Sequence, residues 1–534
     1  MMLRKGPQRR PGGMVRETFK HAAIYSGAGM LGRMISFFML PFYAHILRDI
    51  GYGVIGMIDA SLALLASLFA YSFHTAVLRI YHEEPDPARK PVVATTGTIL
   101  VAGIVLPLSL VAAIFSRPVS GLLLDSPEYW HLICMALAAF AMDVIAQTAQ
   151  TILVIQRRSG TYSLIGLMRL VIGMGLNILL VVVLRWDLEG FFLSNLIVGL
   201  ASLVVSLALL VRSCGRSFDR GIARRLTAFQ MPLVPGSIAS FFSRQVERVL
   251  VRYQLDLATV GILEMGYKFP SLISLLVVGP FLNSWSTQRL EMADQPRAPE
   301  RIGQVFTYFV YLCLLGGLVL AVNIHTVLRL LTPPEFWDAF PIARIQTLQV
   351  IMHGVGMHLT FGLIYAKRTG VMARLAILTA TIKVGLAYLL ISTWGLYGAA
   401  WSSLLATTIY AVWGHVLARR HYPFLMEWTK LGLMTGAAVA LFLGIDRLTT
   451  AQIAAWGAPV LGTVQAGLDG LRDTWLGHWK DGKLLVIMSD RGDLVLDLGV
   501  RTLLTATFLL IMPLVHTETQ HRIGRRWARL RGRT

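Results

Sequence analysis

Met231–Leu255 reads MPLVPGSIASFFSRQVERVLVRYQL. A helix of about 20 mostly apolar residues crosses a bilayer, so this stretch is long enough to span. Yet it carries Arg244, Glu247, Arg248 and Arg252. Spacings of three and four place these four broadly on one helical face. A single cation at mid-bilayer costs roughly 2.5–3.5 kcal/mol on insertion scales. A chain that keeps several either turns that face to water or a polar ligand, or closes it into a salt-bridge network that only packs helices. Both readings place the segment in a membrane; the first also gives the protein a wet interior.

Outward from this stretch the chain keeps the same character. It has 534 residues, 55% of them hydrophobic and 15% charged, too apolar for an ordinary soluble protein. The net charge of +20 would suit nucleic acid, but its placement does not. Most Lys and Arg fall in one alternating set of loops and in both tails, the positive-inside bias that orients membrane proteins. No nucleic-acid partner is expected. The three cysteines, Cys134, Cys214 and Cys313, have no metal spacing and predict neither a metal site nor a structural disulfide.

The apolar runs predict an all-α polytopic membrane protein with about 14 transmembrane helices. A basic tail (1–18) precedes six spans in 19–211. A basic connecting helix (212–230) carries Arg212, Arg216, Arg220, Arg224 and Arg225. Six more spans occupy 231–420. A final pair within 421–516 flanks an outer insertion at 446–497, and a second basic tail (517–534) follows. Both termini are expected in the cytoplasm, with the first apolar run a retained span, not a signal peptide. Val460, Leu461, Val464, Leu468, Leu471 and Trp475 predict a surface helix within the insertion. Lys483–Met488 and Asp493–Leu498, around Ser489–Gly492, predict a hairpin. Gly27, Gly29 and Gly32 form a GxGxxG without a preceding strand, so they read as helix-packing glycines and not a nucleotide loop.

The two six-span sets echo each other. Asp49 followed by YGVIGM at Tyr52–Met57 returns as Asp256 followed by VGILEM at Val260–Met265. Pro127-Glu128-Tyr129-Trp130 returns as Pro334-Glu335-Phe336-Trp337. Leu188-Glu189-Gly190 with Ser194 and Leu196 returns as Leu396-Tyr397-Gly398 with Ser402 and Leu404. Three matches at one nearly constant offset indicate duplication. The expected architecture is therefore two pseudo-symmetric six-helix lobes plus two extra C-terminal helices. Repeats of this kind enclose a midplane cavity and can rock about it. Spans 1, 2, 7 and 8 carry Arg33, Asp59, Arg244, Glu247, Arg248, Glu264 and Lys268. The cation excess suits an anionic substrate group such as phosphate.

The segments around YGVIGMID, DLATVGILEMGYKFPSLI and STWGLYGAAWSSLLAT resemble the oligosaccharide flippases of the polysaccharide transport family. That family belongs to the multidrug/oligosaccharidyl-lipid/polysaccharide exporter superfamily. The resemblance runs over about Phe19–Arg420 and leaves the 446–497 insertion outside. It implies alternating access, with a polyprenyl-diphosphate-linked sugar carried outward across a bacterial inner membrane. Related lipid flippases place cations on spans 1, 2 and 8 in the cavity. Arg33 and Lys268 fit that pattern; Arg79, near the inner end of span 2, fits poorly.

The substrate-binding candidates are thus Arg33, Arg244, Arg248 and Lys268. The coupling or gating candidates are Asp59, Asp143, Glu247 and Glu264. No cofactor and no catalytic residue is expected, while proton or sodium coupling is. Asp59 and Lys268 sit at near-equivalent depths and form a candidate outer-closure pair, unless Asp59 is paired within its own lobe. His74, His353 and His358 read equally as packing residues and as proton relays. The expected partners are the lipid-linked oligosaccharide, membrane lipids, and a polysaccharide polymerase with glycosyltransferases. Two alternatives stay open: a cation-coupled drug exporter, which would favour an acidic cavity, and a membrane polymerase or ligase. Asp473, His478, Asp481 and Asp490 of the insertion have no spacing that names a reaction.

Overall fold

The computed structural model describes residues 37, 39–69, 73–156, 158–448 and 492–510. Among these residues the secondary structure is helical, without a strand. The chain divides into two compact units, Met1–Val249 and Leu250–Thr534. The first holds α1 (Leu40–Phe69), α2 (Phe73–Glu83), α3 (Lys90–Ile114), α4 (Ser116–Leu124), α5 (Trp130–Ile155), α6 (Ser159–Asn177), α7 (Asp187–Cys214) and α8 (Arg220–Gln230). Helix α9 (Val234–Gln254) runs across the boundary. The second unit continues with α10 (Leu257–Lys268), α11 (Gly279–Met292), α12 (Ala298–Leu331), α13 (Ala339–Leu359), α14 (Thr369–Trp394), α15 (Leu396–Ala418), α16 (Trp428–Asp446) and α17 (Gly492–Ala506).

Ten stretches among the described residues are long and apolar enough to cross a bilayer. Their outward faces confirm the solvent they were built for. Leu110, Leu164, Val171 and Val204 of the first unit are exposed, as are Leu389 and Leu443 of the second. Water would penalise so wide an apolar surface, whereas lipid does not. The first expected span lies almost entirely outside the described residues. Helix α9, 21 residues long, is not among the ten because of its charges. Helix α15, 23 residues long, carries Ser402, Ser403, Thr407 and Thr408 and is not among them either.

The duplication read from sequence is visible in the packing of each unit. In the first, α5 is the hub and packs on α7, α3 and α2, with α6 on α7. In the second, α13 packs on α15, α12 and α10, with α14 on α15. The matching turns share details. Pro127–Tyr129 and Pro334–Phe336 are both 3-10 turns. Arg117 lies over the Trp130 ring at 5.2 Å and Arg329 over Trp337 at 4.9 Å. Asp187 has φ 44° and Gly395 φ 57° where the sixth helix of each set begins. A Cβ on Gly190 would meet the Leu180 backbone at 3.0 Å, and one on Gly398 the Leu390 carbonyl oxygen at 1.9 Å. Both glycines let a helix start against the end of the one before it.

Two other turns show how little chain is needed. The expected turn at Leu47–Gly51 is a break at a single residue, Arg48 (φ 58°), inside α1. Helix α8 is capped by Asp219, which accepts from the Ile222 amide at 3.0 Å and from Arg89 at 2.5 Å. The Ile222 amide, and after it Arg89, hold the Asp219 carboxyl below the usual carboxylate range. Ile222 and Leu226 of α8 are buried, while Arg220 and Arg224 are exposed, the pattern of a helix lying on a surface.

The extra pair, α16 and α17, packs on α12. Tyr311 and Val322 of α12 join Met434, Ala438 and Ile445 of α16 and Phe508 in one cluster, with Tyr311 and Phe508 stacked at 5.2 Å. Asp497 is fully buried. It accepts from Thr326 Oγ1 and from Arg501 Nε, the latter at 2.8 Å. Arg501 also donates to the Ile445 and Leu448 carbonyls at 3.3 and 2.6 Å. Arg344 of α13 pairs with Asp446, where α16 ends. Asp497, Arg501, Thr326, Arg344 and Asp446 thus all have partners, as burial demands.

One expectation fails here: Asp493–Leu498 is not a strand but part of α17. The alternation of Leu494, Leu496 and Leu498 mimics a strand. The buried set is Leu494, Asp497, Arg501, Thr505 and Phe508, a helical spacing that pairs Asp497 with Arg501 one turn on. The expected surface helix and the other hairpin strand lie outside the described residues.

Candidate functional site

The first unit carries a half-open cavity of about 560 Å³, walled by α1, α2, α5, α6 and α7. Its size falls in the roughly 300–1,000 Å³ range of small-molecule sites. Helix α5 supplies most of the wall because Asp143, Gln147, Gln150 and Val154 recur at helical spacing. Asp59 enters from α1, His74 from α2, Tyr162 from α6, and Phe191, Phe192 and Asn195 from α7.

The polar side chains sit at membrane depth. Asp143 lies midway along α5, Arg169 near the middle of its span, and Ser202 midway along α7. Arg169 faces the Asp143 carboxylate with N···O distances of 2.7 and 2.9 Å and donates to Ser202 Oγ at 3.1 Å. The 2.9 Å contact is a hydrogen bond to Asp143 Oδ2, while the 2.7 Å contact to Oδ1 is a charge contact only; pairing of the two charges offsets part of their desolvation. One turn further, Gln150 Nε2 donates to Ser206 Oγ at 2.9 Å, and Ser206 to the Ser202 carbonyl at 2.6 Å. His74 Nδ1 shares a hydrogen bond with Thr151 Oγ1 at 3.0 Å, so α2 and α5 are tied together at the cavity.

Among the described residues the ionisable groups on the wall are Asp59, Asp143, His74 and Tyr162, with Arg169 paired to Asp143. Of the candidates read from sequence the cavity brings together Asp59 and Asp143. Arg33 lies outside the described residues. Arg244 is exposed and Arg248 half-buried on α9, with Arg248 donating to the Arg244 carbonyl at 2.9 Å and to Gln245 Oε1 at 2.6 Å. Glu247 is fully buried. In the second unit Glu264 and Lys268 are half-buried near the end of α10. Arg79 pairs with Glu83 at 2.6 Å and covers the Phe229 ring, consistent with its poor fit to a cavity role.

Sequence reasoning saw Asp143, Gln147 and Gln150 on one span and gave Arg169 and Asn195 no role. Two opposite charges near the middle of neighbouring spans were the available signal for the Asp143–Arg169 pair. His358 is fully buried against Phe306, with ring centres 4.8 Å apart. That surrounding makes it a packing residue in this conformation.

The model of a family described as "polysaccharide biosynthesis protein" matches residues 19–285, half of the chain. The chain belongs to this family. No curated protein matches it in sequence. Among solved structures it is similar to a lipid II flippase, MurJ, in an inward closed conformation. That likeness has TM-score 0.61 and 13% identity, over 91% of this chain and 99% of the other. It is also similar to a multidrug resistance MATE family transporter of the MOP superfamily in its outward-facing form (TM-score 0.52, 15% identity, 75% and 95% coverage). The inward-facing form of a transporter so described matches comparably (TM-score 0.51, 16% identity, 74% and 94% coverage). At these identities the likeness fixes the fold. The family member is a multi-pass helical membrane protein with the fold of these structures.

Proposed function

We propose that the protein is an alternating-access flippase. It would export polyprenyl-diphosphate-linked oligosaccharide, a polysaccharide or lipopolysaccharide precursor, across the bacterial inner membrane. The observation that carries this reading is the polar cavity at membrane depth in the first unit. Lipid-facing packing has no use for two carboxylates and three amides there, whereas a route for a sugar-bearing headgroup does. Membership of a polysaccharide biosynthesis family and a fold shared with a lipid II flippase support the same substrate class. Arg33, Arg244, Arg248 and Lys268 are assigned to the diphosphate. Asp59 is the first candidate for proton or sodium coupling, with Asp143, Glu247 and Glu264 behind it. Glycosyltransferases would supply the substrate and a polymerase would consume it. The reading needs no covalent step.

The test is reconstitution. Purified protein in liposomes should move labelled polyprenyl-diphosphate oligosaccharide between leaflets and leave its mass unchanged. A changed mass would reassign the protein to the membrane enzymes. Asp59 in the cavity wall favours one second reading, a cation-coupled exporter of cationic drugs. Gradient-driven extrusion of ethidium by the same liposomes, with no lipid movement, would select it.

A further inference from the structure

The two ends of the first unit differ in charge. Two apolar clusters gather the end of α2, the starts of α3 and α6, the ends of α5 and α7, and α8 at one end. The acids of that end are engaged within the protein. Glu84 holds Arg225 at 2.8 Å, Glu83 holds Arg79 at 2.6 Å, and Asp219 takes Arg89. Asp86 turns back to the Ala88 amide at 2.9 Å. Arg212, Arg216, Arg220 and Arg224 recur at every fourth position, are exposed, and have no carboxylate partner among the described residues. At the opposite end, His131 and Glu189 join the starts of α5 and α7. The connections there expose Asp125, Glu128, Asp187 and Glu189 against Arg117 and Arg185.

Orientation in a membrane needs only an excess of Lys and Arg. This row goes further, because the stretch from 212 to 225 holds five arginines and no lysine. A guanidinium presents a planar fork of donors that fits a phosphate at two oxygens, which an ammonium does not. Gly215, with φ 75°, turns the chain out of α7 toward α8. Helix α8 buries Ile222 and Leu226 and leaves Arg220 and Arg224 one turn apart on its open side. Arg225 with Glu84, and Asp219 with Arg89, tie α8 to the α2–α3 connection. Large apolar side chains flank the helix: Phe218 before it, and Met231 and Leu233 after it, are exposed. Water penalises such side chains, whereas the boundary between headgroups and acyl chains accepts them together with the cations.

We infer that this row is a binding site for anionic glycerophospholipids of the adjacent leaflet. The guanidinium groups hold the phosphodiesters, and Phe218 and Met231 enter the acyl boundary. A row of cations on an amphipathic helix is complementary to an anionic leaflet. Free phosphate shares the headgroup chemistry but has no chain for the apolar residues to meet. The site does not depend on what the protein transports.

A bimane probe at Ala228→Cys, an exposed position on α8, reads the site locally. The full chain, with Cys134, Cys214 and Cys313 replaced, is placed in phosphatidylcholine bilayers that contain a small share of brominated lipid. Brominated phosphatidylglycerol should quench the probe several-fold more than brominated phosphatidylcholine. A probe at Leu122→Cys, exposed near the opposite end, should be quenched equally by the two. Arg216→Gln, Arg220→Gln and Arg224→Gln combined should bring the α8 probe to parity at an unchanged melting temperature. The corresponding triple Lys variant should keep part of the preference, a rescue that a misfolded chain cannot give. Millimolar inorganic phosphate at matched ionic strength should leave the preference in place. Equal quenching by both lipids without the Gln substitutions, no quenching by either, or a preference that survives the triple Gln variant would overturn the site. Loss of the preference to inorganic phosphate would make it a phosphate site and overturn the lipid reading.

Discussion

At the residue scale the Asp143–Arg169 pair decides how the first unit tolerates its cavity. The two side chains are 33% and 28% exposed, so the pair sits between an exposed one, worth roughly 0–1 kcal/mol, and a buried one, whose breaking costs roughly 3–5 kcal/mol. Asp143→Asn should destabilise the protein by about 1–3 kcal/mol, because it leaves the Arg169 charge unmatched in the membrane. Asp143→Leu combined with Arg169→Met should recover most of that loss. Thermal melting of the three proteins in one detergent checks this, and an Asp143→Asn protein that melts like wild type would refute it. Much of this site was legible. Asp143, Gln147 and Gln150 stand out as polar residues repeating on one apolar span. The contacts of Arg169 with Ser202 and of His74 with Thr151 were not, because they join different helices and depend on rotation about each helix axis.

At the element scale the paired turns show what duplication preserves. Gly190 and Gly398 occupy matched starts of α7 and α15, but their clearances differ. A Cβ at Gly398 would overlap the Leu390 carbonyl oxygen, 1.9 Å away, while at Gly190 the nearest atom is 3.0 Å away. Gly398→Ala should therefore cost more than Gly190→Ala, the first at or above the roughly 1–3 kcal/mol typical of overpacking and the second below it. Melting curves of the two variants give the order, and the reverse order would contradict the matched-turn account. Helix α17 depends on its buried ion pair. Asp497→Asn should cost about 3–5 kcal/mol, since Arg501 then stays buried without its counter-charge, and should expose α17 to protease before the rest of the second unit. Cleavage starting elsewhere would mean that the pair does not hold this helix. The run Asp493–Leu498 was misread because a short stretch of alternating apolar residues fits both periods. The Asp497–Arg501 spacing was the evidence for a helix.

At the scale of the whole molecule, apolar helices with apolar outward faces define a membrane protein, and the sequence states this in its composition and charge placement. The helical class, the membrane setting and the duplication were all readable, because each depends on patterns that repeat many times. The polar groups of the first unit's cavity were readable in part: Asp59, Asp143, Gln147 and Gln150 stand out on their spans, whereas their meeting with Asn195, Phe191 and Phe192 does not. Which charges share a space is set by packing and not by their number.

The central claim is that this cavity is wet and lies on the substrate's path. Site-directed labelling tests it most directly, in a chain with Cys134, Cys214 and Cys313 replaced. Asn195→Cys and Gln147→Cys, in the cavity wall, should react with a hydrophilic maleimide in liposomes and be protected by lipid-linked oligosaccharide. Val171→Cys, on the apolar outer face, should stay unlabelled. Failure of the two cavity cysteines to react, or reaction that the lipid-linked oligosaccharide does not slow, would contradict the account.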